Sequence, residues 1–311
     1  MNLEKKIYMA PMEGLTGYVY RNAHRECFGD MDGYFTPFLT GSKLSAKEKR
    51  EVEPDNNLNM NVVPQILTNR VGEFLSIAAQ LENRGYSTVN LNLGCPSGTV
   101  TAKNRGAGFL RVTDELERFL EEIFEKCPIS ISIKTRIGAY YDEEILELIE
   151  IYNKFPLEKL IVHPRLMTDF YEGTPKLEAF REAYNKVKFP LCYNGDINTY
   201  DGYLKIIDVF PNIESVMLGR GLLKNPALAR IIQGGKNATI EEMKHFHELL
   251  YKGYRDEIKD EKNTLFKLKA LWVYMADFFE KNESCIKGIR KADCFMEYEI
   301  AVRNMMKCCI R

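Results

Sequence analysis

The sequence predicts an α/β architecture: a closed (β/α)8 TIM barrel over residues 1–235, followed by an α-helical bundle domain over residues 236–311. Three observations predict it. Eight short apolar runs, rich in β-branched residues, recur about every 25 to 35 residues, which matches the βα unit of a parallel sheet. Amphipathic stretches of helical period separate them. After Gly234-Gly235 the strand signals stop and only helical periodicity remains. An open doubly wound sheet would more often end at about five or six strands, so eight units favour closure.

The expected strands are Ile7–Met9, Gly33–Thr36, Val62–Gln65, Val89–Leu93, Ile129–Arg136, Lys159–His163, Leu191–Asn194 and Ser215–Leu218. Between them, Val71–Arg84, Asp114–Glu125 and Asp142–Phe155 read as helices, the last with Asp142 as its N-cap. Beyond the barrel, residues 239–258 place Met243, Phe246, Leu250 and Tyr254 three or four apart. Residues 264–280 repeat the pattern with Leu265, Leu268, Trp272, Met275 and Phe279, and 293–309 form a third helical stretch.

Bulk composition narrows the function classes. The 311 residues carry 43 Lys+Arg against 44 Asp+Glu, so the net charge of −1 gives no global sign of a nucleic-acid partner. The last 28 residues are more basic, with Lys287, Arg290, Lys291, Arg303, Lys307 and Arg311 against three acids, a weak signal for RNA that an ordinary solvated helix face would also give. The opening MNLEKKIYMAPM lacks the apolar run of a secretory signal, and nothing approaches a membrane span, so a cytoplasmic protein is expected. Eight cysteines (27, 95, 127, 192, 285, 294, 308 and 309) form no CxxC pair and are expected to be reduced thiols. The four histidines fall at no ligand spacing with them, so no metal site is expected.

Active sites of such barrels form at the C-terminal ends of the strands, and polar residues gather there in turn. The first strand runs into Ala10-Pro11-Met12-Glu13-Gly14, and the third ends at Gln65. The fourth passes Asn90 and Asn92 to reach Gly94-Cys95-Pro96. The fifth carries Lys134 and Arg136, and the sixth ends in His163-Pro164-Arg165. Asn194-Gly195-Asp196 and Gly219-Arg220-Gly221 follow the last two strands, where barrels often hold a phosphate on backbone N–H groups. Plain tight turns would explain the same glycines. A lysine such as Lys134 in a barrel mouth costs desolvation unless it meets an anion, for which the N1 region of a reduced flavin is suited. A lysine reaching out to solvent is the alternative reading.

Cys95 is the sharpest residue. Pro96 keeps it out of the α region, and Gly94 leaves room for a flat ring. A buried structural thiol is the commonest fate of a lone cysteine, but one between Gly and Pro at a barrel mouth is unusual. No histidine lies near it in sequence to take its proton. An unassisted thiol with a pKa of about 8.5 stays protonated near neutrality, which suits a proton donor.

Taken together, Ala10-Pro-Met-Glu-Gly-Leu-Thr16, Asn92-Leu-Gly-Cys-Pro96 with Gly106-Ala-Gly108, Lys134-Thr-Arg136, His163-Pro-Arg165, Asn194-Gly-Asp-Ile197 and Leu218-Gly-Arg220 resemble the tRNA-dihydrouridine synthases, in that family's order and over roughly residues 8–228. The resemblance implies that NADPH reduces FMN, and that a hydride then reaches C6 of a flipped-out uracil while Cys95 protonates C5. It implies Pro11, Met12, Glu13, Gln65, Lys134 and His163 against the flavin, and Asn194, Gly195, Asp196, Gly219 and Arg220 at its phosphate end. Asn92 and Arg136 would hold the uracil, the helical tail would bind tRNA, and the protein would work as a monomer. Gly17 stands where the family often has Asp, and Pro164 where it often has a small residue; both lie on the substrate side. Two rivals stay open: an FMN barrel reducing a small pyrimidine or enoyl compound, and a tRNA-binding protein without chemistry.

Overall fold

Parallel strands buried on both faces read as nearly continuous apolar runs, and all eight such runs become strands. In the computed structural model, which describes residues 5–280 and 283–308, they are β1 (Lys6–Met9), β2 (Gly33–Leu39), β3 (Val62–Ile66), β4 (Thr88–Leu93), β5 (Ser130–Gly138), β6 (Leu160–Leu166), β7 (Leu191–Tyr193) and β8 (Ser215–Leu218). They pair in sequence order, and β1 closes on β8 in register from Lys6↔Ser215 to Met9↔Leu218. Cys309 and Arg311 lie outside the described residues.

Two strands, β2 and β6, run three residues further than expected, and the reason is local. The β5–β6 register advances from Arg136↔His163 to Gly138↔Leu166, so β6 holds one extra residue around Pro164. The β2–β3 register slips in the same way between Phe35 and Phe38, around Pro37. Proline cannot donate to a ladder, and each of these two sits in a bulge where no donor is missed. Strand β6 therefore continues through His163 and Arg165 instead of ending there.

The helices Val71–Glu82, Thr113–Lys126 and Glu144–Tyr152 occupy the three expected stretches. Asp142 is not the N-cap of the last: its carboxylate pairs with Lys176 Nζ at 2.6 Å. Glu144 in the first helical turn accepts instead from the N–H groups of Ala139, Tyr140 and Tyr141. A lysine 34 residues away outcompeted a local cap.

Beyond the barrel, Ile240–Ile258 begins at Thr239 with a full capping box to Glu242, and Glu261–Met275 follows it. The third stretch contains Phe295–Met305, and Glu283–Lys291 is a further helix that the periodicity did not single out. Their interior is built around Tyr298, whose hydroxyl accepts from Trp272 Nε1 at 2.8 Å and lies 2.8 Å from His247 Nε2. Met243, Phe246, Leu250 and Trp272 belong to the same contiguous buried cluster as the barrel helices. Phe246 packs edge-on against Tyr20 and Phe28 of the helix Tyr18–Phe28. Among the described residues no helix is long and apolar enough to cross a membrane.

Candidate active site

A cavity of about 650 Å³ opens at the C-terminal ends of the strands, and all fourteen residues singled out for chemistry line it. They come from the ends of seven strands, so closure of the barrel is what assembles them.

Cys95 is fixed from three sides. Its N–H and that of Gly94 donate to Asn92 Oδ1 at 2.9 and 3.0 Å, and its carbonyl accepts from Ala107 N at 3.0 Å. Gly106 makes that last contact possible: at φ +55 a Cβ there would stand 2.7 Å from the Cys95 carbonyl oxygen. Burial pushes the thiol's pKa up, against the smaller opposing pull of a Ser97 backbone hydrogen bond, Arg136 and Lys134. The thiol is therefore protonated at neutral pH.

Asn92 heads a one-way chain of hydrogen bonds across three strands. Its Nδ2 donates to Gln65 Oε1 (2.7 Å), Gln65 Nε2 to Asn90 Oδ1 (2.7 Å), Asn90 Nδ2 to Ser132 Oγ (2.9 Å), and Ser132 Oγ to the Val89 carbonyl (3.2 Å). Both ends fix its direction. Backbone N–H groups only donate and a backbone carbonyl only accepts, so each amide has one allowed orientation. The register supplies the neighbours, since Gln65 lies opposite Asn90 and Asn90 opposite Ser132.

Arg136, fully buried, donates Nε to the Gly94 carbonyl (2.8 Å), Nη1 to Leu166 (2.7 Å) and Nη2 to Phe170 (2.6 Å). Three of its five N–H groups thus tie the Cys95 turn to the loop after β6. Phe170 takes φ +50 and ψ −103, a conformation that costs a bulky residue on the order of 1–3 kcal/mol. Arg165 donates Nη1 to His163 Nε2 at 2.9 Å. A guanidinium cannot accept, so His163 is neutral with its proton on Nδ1; burial and the surrounding cations Lys134, Arg136, Arg165 and Arg220 hold its pKa well below the ordinary value. Tyr171 stacks near His163, with Arg136 and Arg220 over its ring at 5.3 and 5.8 Å.

The charge balance of this wall is one-sided. Lys134 has no carboxylate or hydrogen-bond partner among the described residues, and burial together with Arg136 lowers its pKa to about 8. The carboxylate of Asp196, at the cavity edge, is held between Arg165 (2.5 Å) and Arg220 (2.5 Å). Burial alone would raise its pKa, but the two arginines bring it below the ordinary value. Glu13 lies out at the rim and pairs with Lys47 at 3.2 Å.

After β7 and β8 the backbone N–H groups of Gly195, Asp196, Gly219 and Arg220 have no acceptor among the described residues. Asn194 Nδ2 donates to the Met217 carbonyl at 2.8 Å and so clamps the two turns together. Two glycines there have packing reasons: a Cβ on Gly195 would meet the Tyr193 hydroxyl and one on Gly221 the Ile197 carbonyl, both at 2.2 Å. Open N–H groups beside Arg220 fit a phosphate, and an unpartnered ammonium at Lys134 fits an electron-rich ring. The wall therefore fits a flavin nucleotide.

Several further residues were assigned no role from the sequence alone. Arg165 sets the tautomer of His163, and Asn90 with Ser132 orients Gln65. Tyr171 forms part of the wall, and Tyr274, from the helix Glu261–Met275, also lines the cavity. Lys267 of that helix donates Nζ to the Gly14 carbonyl in the turn after β1 at 2.6 Å. The Gly17 departure also has a local cause. A Cβ there would lie 2.7 Å from Glu51 Oε1, and that carboxylate serves Arg21 and the Tyr18 N–H, so an aspartate would set two carboxylates together.

Comparison with known proteins adds to this geometry. The family model described as dihydrouridine synthase matches residues 8–306. The chain is 24% identical to tRNA-dihydrouridine synthase B of Pasteurella multocida over 235 residues, covering 74% of this chain and 70% of that protein. It is 26% identical to tRNA-dihydrouridine(16) synthase of Pseudomonas putida over 260 residues, covering 79% and 78%. Among solved structures it resembles morphinone reductase, with a TM-score of 0.53 at 11% identity over 78% of this chain and 88% of that one. An old yellow enzyme homologue from Zymomonas mobilis gives a TM-score of 0.53 at 11% identity over 76% and 91%. These two likenesses concern the barrel fold alone.

Proposed function

The chain belongs to the dihydrouridine synthase family, and from that premise we propose that Cys95 is the acid with which it reduces uridine in tRNA to 5,6-dihydrouridine, FMN filling the cavity and NADPH supplying the electrons. It is a flavin-dependent oxidoreductase, and tRNA is its substrate. The observation that carries the reading of the site is Cys95: a thiol kept protonated by burial, held by its own backbone at the rim of the cavity.

Pro11, Met12, Glu13, Gln65, Lys134 and His163 would flank the flavin ring. The open N–H groups of Gly195, Asp196, Gly219 and Arg220, with Asn194 holding the turns, would receive its phosphate. When bound, the flavin supplies a hydride to C6 of the uracil. Cys95 Sγ–H gives its proton to C5, so one hydride and one proton together saturate the bond. The thiolate left behind is stabilised by Lys134 and Arg136, the same cations that pull against its raised pKa, and water returns the proton. Asn92 would offer its remaining amide N–H to a uracil carbonyl, with the Arg136 guanidinium beside it. The helical region 236–311 would carry the tRNA-docking face, and the enzyme would act as a cytoplasmic monomer.

Reconstituting the protein with FMN and recording its visible spectrum tests the cofactor. A protein that stays colourless overturns it. Mapping dihydrouridine in tRNA from cells lacking this protein tests the substrate: loss at defined positions is expected, and an unchanged map would overturn the assignment.

A further inference from the structure

Three exposed rings on the loops after β5 and β6, at the barrel end where the cavity opens, have no part in the chemistry above. Tyr140 and Tyr141 follow β5 and are 50% and 69% exposed; Phe170 follows β6 and is 52% exposed. Rings on slack loops would fold back onto apolar surface, but these backbones are pinned. The Glu144 carboxylate accepts from the N–H groups of both tyrosines at 3.1 Å. Arg136 holds the Phe170 carbonyl, and Phe170 keeps its left-handed φ of +50. Thr168 ties the two loops together, its N–H and its hydroxyl donating to the Ala139 carbonyl at 3.4 and 3.3 Å. The result is a pair of pinned loops carrying exposed rings, of which Phe170 lines the cavity along with Arg136 and Arg220.

Drawing a uridine out of its stack leaves both neighbouring bases without a partner on one face. Aromatic side chains replace such stacking for any base, because every base has a π-face. We propose that Tyr140, Tyr141 and Phe170 form a stacking shelf for the nucleobases that flank the target uridine. The inference rests on the tRNA reading above and adds the part of the RNA that the rings hold. The continuity of Phe170 with the cavity that takes the uracil, and the arginines lining that cavity beside it, favour RNA over an apolar protein segment.

The test compares substitutions that remove the ring with ones that keep it. Tyr141→Leu and Phe170→Leu keep an apolar side chain, whereas Tyr141→Phe and Phe170→Tyr keep the ring. Binding is read with a uridine-containing RNA 9-mer carrying 2-aminopurine beside the uridine, and turnover with unmodified tRNA transcripts. Flavin content per chain checks folding. Wild type and the ring-keeping variants should quench 2-aminopurine, and each leucine variant should lose the quench and raise KM roughly 5- to 150-fold. Leucine variants that behave as wild type, or ring-keeping variants as impaired as the leucine ones, overturn the shelf. If wild type neither binds nor reduces any tRNA transcript, the tRNA reading itself falls and the shelf with it.

Discussion

The two ends of this barrel treat the same side chain in opposite ways. Lys159, at the floor, donates Nζ to the Tyr8 hydroxyl and to Glu214, each at 3.0 Å. Burial would lower its pKa, but those two partners raise it above the ordinary value. Lys134, one strand away at the mouth, meets no such partner, and its pKa falls to about 8. A second cavity, of about 600 Å³, opens at the floor and contains Lys159. The difference is therefore one of partners and not of space. A lysine whose counter-charge is built into the fold stabilises the protein; one whose counter-charge is missing marks where a ligand completes the structure.

Four measurements would break or sharpen that contrast. The largest effect belongs to the mouth. Cys95→Ala removes a proton donor and little packing, so uridine reduction should fall by about 10²–10⁴-fold with flavin binding retained. Undiminished dihydrouridine formation would reject the role.

Next comes the lysine pair itself. Lys159→Met should destabilise the protein by about 1–3 kcal/mol, because Glu214 loses its buried partner but keeps Lys6 at 3.1 Å and some contact with water. Lys134→Met should do the reverse, raising the melting temperature of the flavin-free protein while weakening flavin binding by about tenfold or more. Equal losses of stability at both positions would erase the contrast.

The third measurement is a pH series on the flavin-free protein. With its folded pKa lowered to about 8 from an ordinary 10.5, Lys134 binds fewer protons in the fold than in the unfolded chain between those values. Its contribution therefore makes the protein more stable as pH rises from about 8 to 10.5, by up to about 3 kcal/mol, and Lys134→Met should abolish that slope. A slope that persists in the variant would place its origin elsewhere.

The smallest effect is expected in the relay between the ends. Ser132→Ala removes the last donor of the chain, so Asn90, and through it Gln65, loses its fixed orientation. Turnover should drop a few-fold and stability by about 1 kcal/mol. If Ser132→Ala changed stability alone, with the pH–rate profile and KM untouched, the relay would be structural only.

How much of this was legible in the sequence follows the same division. The eight strands were visible because a buried parallel strand writes itself as a local apolar run. The mouth residues were visible because polar side chains there interrupt those runs at the ends. Asp142 failed as a cap because Lys176, remote in sequence, claimed it. The continuation of β6 past His163 was hidden because a proline inside a strand reads as an end until a bulge absorbs it. Asn90, Ser132 and Arg165 were present in the runs, but their partners depend on cross-strand register and on barrel closure, which no local window contains. Tyr274 and Lys267 reach the mouth only because the last quarter of the chain folds back onto its start.

That return has a practical meaning. Lys267 holds the turn after β1 through the Gly14 carbonyl, and Tyr274 supplies part of the cavity wall, so the helical region works as a keystone of the cavity. A chimaera that exchanges residues 236–311 with those of a relative would alter the flavin pocket along with the choice of RNA. Any exchange of side chains on these helices therefore has to leave Lys267 and Tyr274 in place if the cavity is to keep its shape.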